Sequence, residues 1–201
     1  MLELFLILLF ATLLRLQFSI SQASDEDVTF WRIKLQKNKP LHYAPKNSVL
    51  KGFHGYPMLV HYFLSKFDDS HVVVFGRLFN ILPDIIVGIG IYLLVSNIAA
   101  GDSANGLLSI PAWAVMLYLT SPILLPTTAR MKTIKARSFG GLIVFLYLLS
   151  IYIVLNVSTV FGVLLAAVFL YVIVLSSAFA TQAAVLFTSV LSILYFNFIN
   201  I

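Results

Sequence analysis

The fold class that the sequence predicts is all-α: a polytopic transmembrane helical bundle of about six spans, with an amphipathic interfacial helix in its first long loop. Three observations predict it. Of 201 residues, 60% are hydrophobic and 10% charged, far from the composition of a soluble domain. Apolar runs close to the ~20 residues that one helical crossing needs recur along the chain, with polar breaks between them. Nothing from Ser138 to Ile201 is Lys, Arg, His, Asp or Glu. Backbone groups in lipid must bond internally, and the alternation of barrel strands is absent, so helices are the consistent solution.

The first run, Leu2 to Ile20, is broken by Arg15 near its far end. Its apolar stretch Leu4 to Leu14, followed by "SQA", has the outline of a signal peptide, but Glu3 and the lack of a basic start favour a retained span. A polar loop with interfacial helices follows, over 21–71. The second run, about 72–97, carries Arg77, Pro83 and Asp84, and the third covers about 107–127. The charge-free remainder divides at "NVST", Asn156 to Thr159, and around "SAFATQ", Ser177 to Gln182, into runs 139–156, 159–177 and 182–199. The whole reads as one transmembrane domain, 1–201.

The chain has no cysteine, which excludes disulfides and thiolate chemistry. There is no internal repeat and no soluble domain, so any chemistry must sit in the polar loop or the short loops. If all six spans cross, 21–71 and the loop "TTARMKTIKAR", Thr127 to Arg137, share one side. Gly101 to Gly106 and both termini take the other. All thirteen cations then belong to the first side: Arg15, Arg32, Lys34, Lys37, Lys39, Lys46, Lys51, Lys66, Arg77, Arg130, Lys132, Lys135 and Arg137. The positive-inside rule makes that side cytoplasmic; a face built to hold an anionic lipid-linked phosphate is the other reading.

The densest acidic cluster is Asp25, Glu26 and Asp27 in "SDEDVTFWRIKL". One reading is structural. Ser24 followed three residues later by Asp27 is a capping-box-like start, acids suit the first turn of a helix, and Val28, Trp31 and Leu35 share a face. That describes a surface helix with Arg32 and Lys34 among the headgroups. The other reading is chemical: a carboxylate at a lipid-water boundary can take a proton from an attacking hydroxyl or amine, which serves group transfer.

At this point the chain resembles the GT-C-type membrane glycosyltransferases that use polyprenyl-phosphate-linked sugars, as an N-terminal part or a shortened member. One membrane helix leads into a loop opening with acids and aromatics, "SDEDVTFW". The loop ends near a Tyr-Pro element, "GFHGYPMLVHYFL" from Gly52 to Leu64, and an Arg opens the second span, "GRLFNIL". A third span ends in "SPILLPTTARMKTIKAR", before "GGLIVFLYLLSIYIVL". The order and spacing of these elements over residues 1–160 carry the resemblance.

The resemblance implies roles. Asp25 is the first candidate for the general base, with Glu26 next and Asp27 as an alternative base or acceptor-orienting group. His54 and Tyr56, flanked by Gly52 and Gly55, are candidates to line the substrate loop. Arg77, Arg130, Lys132, Lys135 and Arg137 are candidates to receive the charge of a departing phosphate. The implied donor is a lipid-linked sugar, and the family places this loop outside the cytoplasm, against the charge count. No cofactor is implied with certainty, and the divalent-metal requirement is open. The remaining partners expected are membrane lipids and a partner membrane subunit, not nucleic acid, with a multi-pass location in the cell membrane or endoplasmic reticulum. Two other classes compete: a non-catalytic subunit or scaffold of a larger assembly, and a small lipid or solute transporter.

Asp84, next to Pro83, is not assigned to chemistry, and Arg77 lies seven residues before it, about 10 Å along a helix. His61 and Tyr62 are expected at the membrane interface. Gly88 and Gly90 in "VGIGIYLL" are expected to permit close helix packing.

Overall fold

The computed structural model describes residues 2–20, 33–41, 59–98, 109–120, 137–176 and 178–199. Among these residues the structure is helical, without strands. The helices are α1 (Leu2–Ile20), α2 (Leu59–Leu64), α3 (Asp69–Ile98), α4 (Ile110–Thr120), α5 (Arg137–Asn156), α6 (Thr159–Ser176) and α7 (Ala178–Ile199). A helical turn at 33–36 precedes α2. By length and apolar composition, α3, α5 from Ser138 and α6 are each able to cross a membrane.

The helices form two groups joined through α3 and α5. In the first, α3 packs on α1 and α4; in the second, α5 packs on α6 and α7. Leu4 and Ala11 of α1 are buried with Val115 and Leu119 of α4, and Ile91 and Tyr92 of α3 pack against them. Gly88 lets α3 approach the same two α4 side chains, and Gly90 lies against the Phe145 ring of α5. The second core joins Ile143, Val144 and Tyr147 of α5 to Ile173 of α6 and to Ala180 and Ala184 of α7.

Helix α4 begins with Pro111 in its first turn, where a missing N–H costs nothing, and Ser109 stands before it as the capping residue. The Ser109 backbone N–H and hydroxyl both donate to Glu3 Oε2, at 3.3 and 2.8 Å. A carboxylate thus sits at the N-terminus of α4, where the helix dipole favours it. It also ties the starts of α1 and α4 to the same end of the bundle. The contacts keep that register, since Ile7 and Ala11 line a common apolar cavity of about 220 Å³ with Met116 and Leu119. The two helices therefore run parallel.

The α5–α6 hairpin turns on two residues. The N–H groups of Val157 and Ser158 both donate to the Ile153 carbonyl, closing α5, and Ser158 accepts from Gly162 to open α6. Hydroxyls elsewhere in these apolar helices are satisfied locally, as lipid surroundings require. Thr12 donates to Leu8 O, Thr120 to Met116 O, Ser150 to Tyr147 O and Ser176 to Ile173 O. Thr188 donates to Ala184 O, so its oxygen accepts from Tyr147 across α5 and α7, at 2.8 Å. The outer face of α6, including Val160, Phe161, Leu164, Val168 and Tyr171, is apolar and exposed, as suits contact with lipid.

Candidate functional site

The acids Asp25, Glu26 and Asp27, the loop residues His54 and Tyr56, and the cations Arg130, Lys132 and Lys135 lie outside the described residues. Arg77 is placed by its backbone two turns inside α3, and Arg137 opens α5; of their side chains nothing is described. Both helices begin at the end of the bundle opposite to Glu3 and Ser109. That end is where the described parts of the polar loop dock.

Docking is driven by apolar contact. Ile33, Val60, Leu64 and Val72 form a buried cluster, with Phe67, Phe75 and Phe139 packed around it. It unites the 33–36 turn, α2 and the first turns of α3 and α5. The Phe67 ring stacks on Phe75 at 4.5 Å and meets Phe63 edge-on at 5.4 Å, an arrangement the aromatic quadrupoles favour. Gln36 is buried at 1% exposure because its amide donates to the carbonyls of Pro40, at 2.6 Å, and Leu41, at 3.4 Å. These bonds close the loop that follows the turn, where Asn38 adopts a positive φ of 61°.

Of the surface-helix face expected to contain Val28, Trp31 and Leu35, only Leu35 is described, and it is half-buried. The buried residues of this turn are Ile33 and Gln36. His61 is 4% exposed, on the inner side of α2 beside Val60 and Leu64, whereas Phe63 stands outward.

The charges here are organised around Asp69, in the first turn of α3 and ahead of the apolar run that starts at Val72. Lys34 and Lys37 both reach its carboxylate, at 3.2 and 3.4 Å. The hydrogen bond from the Lys34 ammonium, reinforced by the charges of both lysines against an opposing desolvation, holds the Asp69 carboxyl below the usual carboxylate range. Half-exposed pairs of this kind position segments more than they stabilise them. Lys66 covers the Tyr62 ring at 4.5 Å, a cation-π contact at the outer surface. Asp69 had no sequence signal as a partner, because 32 residues separate it from Lys37.

In the middle of α3, Pro83 has no N–H to give to the carbonyl of Phe79, and Asp84 beside it is 6% exposed. Among the described residues no group of three or more His, Asp or Glu has the arrangement of a metal site. Compared with known family models, with curated proteins and with solved structures, the chain shows no match.

Proposed function

We propose that this chain is a multi-pass membrane protein with six crossings that transfers a sugar from a polyprenyl-phosphate donor to an acceptor at one membrane face. In this reading Asp25 takes the proton of the acceptor hydroxyl or amine, with Glu26 and Asp27 beside it. The acceptor atom attacks the anomeric carbon, the bond from that carbon to the phosphate oxygen breaks, and polyprenyl phosphate leaves as an anion. His54 and Tyr56 line the loop around the sugar. Arg77, Arg130, Lys132, Lys135 and Arg137 compensate the charge of the leaving group, which therefore needs no strong acid.

The observation that supports this reading is the pair of hydrogen bonds from Ser109 to Glu3. Parallel helices that start at one end send the chain that follows each of them toward the other. That course is compatible with acids that follow α1 and cations that follow α4 serving one membrane face, which a transferase of this kind needs. A non-catalytic membrane subunit is the second reading, favoured by the broad exposed apolar face of α6.

The test is a single cysteine at Ser48 of this cysteine-free chain, probed on intact cells with a membrane-impermeant thiol reagent. Labelling from outside, followed by loss of sugar transfer in Asp25→Asn, is the expected result. Protection until the membrane is opened puts the acids in the cytoplasm and leaves the subunit reading.

A further inference from the structure

We propose that α7 pairs with α7 of a second copy of this chain, through the face formed by Gln182, Val185, Ser189 and Ser192. One side of this helix is already occupied: Ala180 and Ala184 are buried against α5 and α6, and Thr188 accepts from Tyr147. With 3.6 residues per turn, the four named positions fall on the side away from the two alanines, and all four are exposed. Every residue from Ser189 to Ile193 is exposed as well, five positions that go round the whole helix.

Spacing and residue type decide the occupant. Intervals of three, four and three residues are the a and d positions of a heptad, the seam along which two membrane helices cross at a small angle. Serines at two of the positions let the backbones approach closely. The polar groups need a partner that hydrocarbon does not supply. Neither the Gln182 amide nor the Ser192 hydroxyl has a hydrogen-bond partner among the described residues. The Ser189 hydroxyl donates to Val185 O, at 2.9 Å, and keeps its lone pairs for a further donor. Amides and hydroxyls both donate and accept, so each pairs with its own kind. Two copies inserted the same way bring equal positions to equal depth, and a two-fold axis along the membrane normal then sets Gln182 against Gln182 and Ser189 against Ser189. The outer face of α6 carries no such self-matching groups at Val160, Phe161, Leu164 and Val168, and lipid suffices there.

This inference rests on the proposed reading of α7 as a crossing and needs none of the transferase chemistry. The test places single cysteines in the full, cysteine-free chain at Val185, Ser189 and Ser192, with Val190 of α7 and Val168 of α6 as exposed positions off the seam, and oxidises membranes with copper phenanthroline. A disulfide needs Cβ atoms about 3.5–4.5 Å apart, so the three seam positions are expected to form cross-linked dimer several-fold above the other two. Adding Gln182→Leu to Ser189→Cys is expected to lower that yield several-fold, and Gln182→Asn, which keeps an amide, to restore part of it. Equal yields at all five positions, no cross-linking at any, or a yield indifferent to Gln182→Leu overturns the proposal. A water-soluble maleimide tells the two readings apart. Labelling of Ser189→Cys by it takes α7 out of the bilayer and overturns the crossing and the pairing together, whereas protection without seam cross-links overturns the pairing alone.

Discussion

Gly162 carries the tightest backbone approach among the described glycines. A Cβ at this position would stand 2.6 Å from the backbone nitrogen of Val154 and 2.9 Å from its Cα, and neither atom can swing aside. Gly162→Ala is therefore expected to splay the α5–α6 hairpin at a cost of about 1–3 kcal/mol. Thermal unfolding in detergent reads this as a lowered midpoint; an unchanged midpoint would show that the hairpin absorbs a methyl group freely. At Gly90 the obstacle is the outer edge of the Phe145 ring, a side chain able to turn, so the same substitution there is milder. The sequence pointed to Gly88 and Gly90 as close-packing positions because they fall two apart in an otherwise bulky run. Gly162 went unmarked, since its requirement comes from a backbone eight residues earlier, beyond a turn.

The 33–41 turn depends on a partner remote in the chain, and pH should expose that dependence. Asp69 has its carboxyl held below the ordinary range in the folded chain, so its contribution is present above the unfolded value, about 3.9. It is lost as pH falls through the lower folded value. Hydrogen exchange of the 33–41 amides is expected to quicken across that acid window. Helices α5 and α6 beyond Arg137, which contain no acid or base of the Asp, Glu, His, Lys or Arg kind, should be indifferent to it. In Asp69→Asn the acid step should vanish; its persistence would assign the loosening to another group. Apolar periodicity alone could not have found this element. It favours Leu35 as the inward residue, whereas Gln36 is buried because its amide finds two carbonyls in the loop it closes.

For the molecule as a whole, the helical class was legible because long apolar runs leave the backbone no partner but itself. Polar residues interrupt the last apolar runs, and α5 ends at Asn156, where the first break was expected, whereas α7 starts at Ala178, four residues before the run expected from 182. The candidate site was legible only as chemistry, since charge type and spacing along the chain do not say which remote neighbours a fold supplies. Asp69 between two lysines and Glu3 at the start of α4 are such neighbours. The parallel course of α1 and α4 makes a further prediction at this scale: single cysteines at Ser48 and Ser103 should label from opposite sides of the membrane. Labelling of both from the same side would contradict an odd number of crossings between them. The Glu3 contact also sets a clock. Its partner is made 106 residues later, which at roughly 5–20 residues per second is a delay of about 5–20 s during synthesis. Until then the Glu3 carboxylate has only the first turn of α1 to complement it, and a chain stalled before Ser109 lacks the contact that sets the start of α4 beside the start of α1.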